Sequence, residues 1–176
     1  MVIDMQKEFY VDQTREQMDR ATEYINAVIP MFEERGLPII WVQDMDEDDG
    51  VVPGTDGFEF IDALKPKPDA IRIHKNYGNS FNKTEVDKIL KENGVDTVVM
   101  TGFCAEFCVL STYRGAKDLD YFPVILKNGI ASTEESRKQF VEEISDTMTY
   151  GVLKKLLSDE SPVNSNQTES VQSGGI

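Results

Sequence analysis

The chain has 176 residues, 40% of them hydrophobic and 28% charged, the make-up of one globular domain large enough to bury a single core. A formal net charge of −14 argues against nucleic acid and anionic membrane surfaces as partners, and no apolar run approaches the roughly 20 residues of a membrane span. Two cysteines four residues apart do not make a disulfide framework, so the expected compartment is the cytoplasm, with no signal peptide before the first strand.

In chain order, residues 1–4 predict a short apolar strand that ends in the carboxylate of Asp4. Met18, Ala21, Ile25, Val28, Ile29 and Phe32 recur at helical spacing and predict a helix over about 14–35, stopped at Gly36. Pro38 to Val42 predicts a second strand. Asp44 to Gly57 is an acidic loop, punctuated by Gly and Pro, that should cover the strand ends, followed by a short helix over about 58–63. A third strand over 70–74 runs into Lys75, a helix over about 83–93 stops at Gly94, and a fourth strand occupies 96–100. A helix over about 108–119, a fifth strand over 122–126 and a helix over about 134–146 follow, and 152–157 reads equally as a strand or a short helix. Strands alternating with helices predict a three-layer α/β/α domain with a mostly parallel sheet over 1–157. Residues 158–176, with three bulky aliphatic residues among nineteen, predict a polar, flexible tail.

The densest chemistry lies in DTVVMTGFCAEFCVLST, residues 96–112, where an apolar strand breaks at Gly102 and a helix is expected to begin at Cys108. A thiol at a helix N-terminus ionises more readily than its free value of about 8.5, because unpaired N–H groups and the positive end of the macrodipole face it. Asp4 and Lys75 close other strands, and in a parallel sheet the carboxyl ends of the strands line one ligand crevice. The same residues also admit a buried, inert cysteine, or a thiol pair formed by Cys104 and Cys108.

VIDMQKEF at 2–9, IHKNYGNSF at 73–81 and TGFCAEFCVLSTYRGA at 101–116 resemble, in order, the signature blocks of the isochorismatase-like cysteine hydrolase superfamily, which includes nicotinamidases and N-carbamoylsarcosine amidases. The similarity spans about residues 2–155 and implies a Rossmann-like hydrolase fold. It also implies a catalytic triad of Asp4, Lys75 and Cys108, a cis peptide between Phe103 and Cys104, and an oxyanion hole from the backbone N–H groups of Cys104 and Cys108. The implied reaction is hydrolysis of the C–N bond of a small amide or ureide through a thioester, on a homo-oligomer, dimer or tetramer. Members usually carry a few residues before the first strand, so a start upstream of Met1 is expected. The isochorismatase branch cleaves a vinyl ether and usually lacks the nucleophilic cysteine, which sets Cys108 against that alternative.

For substrate contacts, Phe9 matches a family position that packs on the substrate, and Trp41, Phe58 and Phe107 are candidate apolar walls. Arg72 and Arg114 are the cations available for a carboxylate. Nicotinamidases commonly carry Asp-x-His and further histidines as metal ligands, but the matching stretch here is Asp44-Met45-Asp46 and the single histidine, His74, should face away from Lys75. No catalytic metal or other cofactor is expected; Asp44 and Asp46 have the oxygen ligands for weak Mg²⁺ or Ca²⁺ binding, but an acidic loop of this kind is more often simply solvated. Gly78-Asn79-Ser80 and Lys127-Asn128-Gly129 depart from the family pattern and leave the substrate open.

Overall fold

The computed structural model describes residues 1–48 and 50–159. Six strands form one sheet in the order β3-β2-β1-β4-β5-β6, with every pairing parallel. In chain order the strands are β1 Val2–Ile3, β2 Ile40–Asp44, β3 Ile71–Lys75, β4 Thr97–Gly102, β5 Phe122–Ile130 and β6 Thr147–Met148. The helices are α1 Arg15–Glu34, α2 Val86–Glu92, α3 Leu110–Asp118, α4 Glu135–Ile144 and α5 Tyr150–Asp159. Among the described residues no helix is long and apolar enough to cross a membrane.

Each sheet face is buried for a reason visible in the strands, which carry apolar residues on both sides. Ile3, Val42, Ile73, Met100 and Ile125 pack against Val86 and Leu90 of α2, Tyr113 of α3 and Val109 just before it, with Val141 of α4. On the other face Val2 and Trp41 meet Met18, Ala21 and Ile25 of α1, while Val28 of α1, Leu126 and Leu153 of α5 close a third cluster. The result is the expected three-layer α/β/α domain.

Several boundaries differ from the sequence reading. The second strand runs over Ile40–Asp44, not 38–42, because Pro38 has no N–H for the ladder and pairing with β3 starts at Ile40↔Ile71. No helix forms at 58–63, where Gln6 and Phe60 make an isolated bridge. The helix expected from Cys108 begins earlier, as a π-helical turn over Ala105–Val109 that continues into α3. Residues 152–157 are helical as part of α5, and that helix extends past residue 157 to Asp159. The rest of the expected tail, 160–176, lies outside the described residues.

The order of strands reverses between β1 and β4, so the crevice expected of such sheets opens at the carboxyl ends of these neighbours. Gly102 is required there: a Cβ on it would lie 2.0 Å from the carbonyl oxygen of Ile3, and its φ is +122°.

Candidate active site

Four strand ends build the site. Asp4 follows β1 with a φ of 50°, a left-handed turn that Asp tolerates better than most residues and that ends the strand. Lys75 closes β3, two strands away. Inter-strand spacing puts that separation at about 10 Å, and a long side chain is needed to cross it. The Lys75 ammonium lies 2.7 Å from Asp4 Oδ2 and 2.6 Å from Asp44 Oδ1. It also donates to Cys108 Sγ at 3.4 Å. The ammonium is therefore shared by three groups, Asp44 and Cys108 through hydrogen bonds and Asp4 through an ion pair.

Asp44 is the member that sequence reasoning missed as a partner of the lysine. Extending β2 by two residues brings it opposite Lys75 in the parallel register. Gln6 then locks it: the Gln6 amide donates to the Asp44 carbonyl at 3.0 Å and accepts the Asp44 N–H at 2.7 Å.

Electrostatics define the resting state. Burial pushes the Asp4 carboxyl up to about 6, against the opposing pull of Lys75. Burial, then the Asp4 charge, push the Cys108 thiol up to about 12, with Lys75 only partly countering them. Burial also disfavours the Lys75 charge, but Asp4, Cys108 and Asp44 outweigh it and hold the ammonium above its ordinary range. At neutral pH the set is a neutral thiol, an ionised carboxylate and an ammonium. Burial, and not the dipole of a helix N-terminus, dominates at this thiol, since Cys108 is the fourth residue of the turn that starts at Ala105.

Before that turn, the Phe103–Cys104 peptide is cis. The Cys104 N–H has no acceptor among the described residues, whereas the Ala105 N–H donates to Ala131 O at 2.8 Å. Cys104 is buried and its thiol donates to Glu106 Oε2 at 2.9 Å. Glu106 also accepts from Ser132 Oγ at 2.7 Å and pairs with Arg137 at 3.2 Å. Both cysteines are free. With the Cys104 sulfur on Glu106 and the Cys108 sulfur on the Lys75 ammonium, the thiol-pair reading loses its geometric basis.

The structure separates the other candidates. Trp41 is not at the site: alternation along β2 turns it to the opposite sheet face from Asp44, where it packs edge-on against Phe60 at 5.2 Å. Phe58 is buried and meets His74 edge-on at 5.0 Å, and His74 lies on the strand face opposite Lys75. Phe9 stacks on Phe103 at 5.4 Å, beside the cis peptide. Phe107 is 62% exposed and adjoins Cys108 in the chain. Arg72 lies over the Phe60 ring, also on the far face.

A metal does not fit these residues. Asp4, Asp44 and Cys108 present ligand atoms within 4.8 Å of one another, but the Lys75 ammonium already contacts all three. Asp46 is not among the converging groups, and its carboxylate accepts the Asp48 N–H at 3.0 Å.

Comparison with known proteins agrees with this geometry. The family model for the isochorismatase domain matches residues 1–150. An isochorismatase family protein of Bacillus subtilis is 27% identical over 135 residues, 75% of this chain and 72% of that protein. Ureidoacrylate amidohydrolase of Caulobacter vibrioides is 33% identical over 86 residues, 49% of this chain and 37% of that protein, so the match spans little more than a third of its length. Among solved structures, an isochorismatase-like hydrolase from Alkaliphilus metalliredigens has a TM-score of 0.78 at 26% identity, covering 89% of this chain and 95% of that one. N-carbamoylsarcosine amidase from Thermoplasma acidophilum has a TM-score of 0.73 at 26% identity, covering 84% and 92%.

Proposed function

The chain belongs to the isochorismatase family of hydrolases, and from that premise we propose that it cleaves the C–N bond of a small amide or ureide through a thioester on Cys108. The observation that carries this reading is the contact of one buried ammonium with Asp4 at 2.7 Å and Cys108 at 3.4 Å. Similarity to relatives named as amidohydrolase and amidase supports the bond type.

In this mechanism the Cys108 sulfur attacks the substrate carbonyl carbon while its proton passes to the Asp4 carboxylate. Since the resting thiol is neutral, proton transfer accompanies attack instead of preceding it. Lys75 stays charged and offsets the negative charge that moves from Asp4 to sulfur. The carbonyl oxygen, now an oxyanion, takes the N–H groups of Cys104 and Cys108, each such donor being worth about 3 to 4 kcal/mol. Asp4 returns its proton to the leaving nitrogen as the C–N bond breaks. Water then attacks the thioester with Asp4 as base, releasing the acid and restoring the thiol. Phe107, and Phe9 through Phe103, form the apolar side of the site.

The test is ammonia release from a panel of small amides and ureides, with Cys108→Ala as control. Release by the native chain that the variant loses supports the reading, and release unaffected by the substitution sinks it.

The expected homo-oligomer belongs to the same reading, with an interface of at least about 1,000 Å². Phe122 is 54% exposed and available to it, but Tyr113 is not, being buried with its hydroxyl on Asp146 at 2.7 Å. Sedimentation at micromolar concentration checks it, and a monomer with full turnover counts against it. The cytoplasmic location expected from two free cysteines likewise stands as a proposal.

A further inference from the structure

Resting on the amidohydrolase reading, we propose that Asp44 is a specificity-determining residue, whose carboxylate at the mouth of the site accepts an N–H of a neutral substrate and repels substrates that carry negative charge beside the scissile carbonyl. The two carboxylates around Lys75 are not equivalent. Asp4 is 1% exposed and sealed in, while Asp44 is 27% exposed and faces the opening. Asp44 gives Oδ1 to Lys75, and its Oδ2 accepts no hydrogen bond among the described residues. A carboxylate oxygen with open lone pairs accepts N–H or O–H donors and has no proton of its own to offer another acceptor. An amide or ureide nitrogen supplies them; a carboxylate does not.

The charge sum points the same way. The charged groups that act most strongly on the Cys108 thiol are Asp4, Lys75 and Asp44. Two carboxylates and one ammonium leave one uncompensated negative charge around the sulfur. At about 6 Å and an effective dielectric near 20, a second negative charge is disfavoured by about 100-fold, and solvent at the mouth reduces this toward about tenfold. Of the two arginines available for a carboxylate, Arg72 lies over Phe60 on the far sheet face, and Arg114 is exposed on α3. Metal binding is no competing role for Asp44, because the ammonium occupies the centre of its donor set.

Iodoacetamide and iodoacetate are a matched pair of probes, equal in size, one neutral and amide-bearing, the other anionic. With each, a bond forms between Cys108 sulfur and carbon, iodide leaves and the thiol proton is released. The rate of Cys108 modification by each reagent is followed by peptide mass spectrometry, which separates it from Cys104, and the ratio is normalised to that of glutathione. The expected neutral-over-anionic preference is at least about tenfold beyond glutathione in the native chain. It collapses in Asp44→Asn and persists in Asp44→Glu. A ratio equal to that of glutathione, or one that Asp44→Asn leaves unchanged because both rates shift together, overturns the proposal. Should Asp44→Asn not fold, salt titration of the native chain decides: the iodoacetate rate rises with ionic strength while the iodoacetamide rate stays flat, and a salt-independent ratio overturns the proposal. None of these readouts needs amide turnover, so the charge filter and the amidohydrolase reading fail independently.

Discussion

Cys104 and Cys108 are four residues apart, both are shielded from water, and both thiols are pushed up to about 12, yet their surroundings prepare them for opposite fates. Each sulfur faces a carboxylate. For Cys108 that carboxylate is Asp4, raised by burial to about 6 and so able to hold a proton near neutral pH. For Cys104 it is Glu106, where burial is outweighed by hydrogen bonds from Cys104, Ser132 and Arg137 and the carboxyl is held below its usual range. Glu106 is thus a poor proton acceptor and a good anchor. The lesson is that a thiol's own ionisation says little about its reactivity; the basicity of its acceptor, and a neighbouring cation to offset the transferred charge, decide it.

The sharpest way to break this comparison is to remove each sulfur. Cys108→Ala should lower kcat/KM by at least about 10³-fold, whereas Cys104→Ala should stay within about threefold, measured by ammonia release. Comparable losses would mean that the two sites work as one. Replacing the acceptors extends the contrast: Asp4→Asn should cost about 10² to 10⁴ in kcat, and Glu106→Gln far less. An equal drop for the two would remove the assigned difference in basicity.

Lys75→Met should act on stability as well as on activity. It leaves two carboxylates without their cation, one of them fully buried, at a cost of about 3 to 5 kcal/mol in urea unfolding. A variant as stable as the native chain would show that Asp4 is not ionised in the resting site.

The pH dependence follows from the raised Asp4. Its base form predominates above about 6, so kcat/KM should be level at neutral pH and fall about tenfold per unit below about 6, as protonated Asp4 loses its capacity to accept the thiol proton. An acid limb near the ordinary Asp value would place the proton elsewhere. The smallest effect expected is that of Ser132→Ala, which removes one hydrogen bond to Glu106 at a cost of about 1 kcal/mol in stability, with KM unchanged.

Local pattern alone carries a good part of this protein. The apolar runs and Gly stops place α1 within a residue or two of its observed ends, and the alternation of strands and helices yields the parallel three-layer fold. Asp4, Lys75 and Cys108 stand out because strand ends converge in such a sheet, a property of topology that a linear pattern reveals. The charge relations among them are not local. Asp44 reads as a loop residue until the ladder between β2 and β3, starting beyond Pro38, carries the strand two residues further and Gln6 clamps its end. Trp41 reads as a candidate wall until alternation within that same strand turns it to the far face. Cys108 reads as a helix-terminal thiolate, but the turn begins at Ala105 and the sulfur is packed beside the core. Sequence determines which groups are present and on which elements they lie. Register, burial and the number of acceptors around one ammonium are set only when distant strands meet, because desolvation and Coulomb energies depend on distances that no stretch of chain contains by itself.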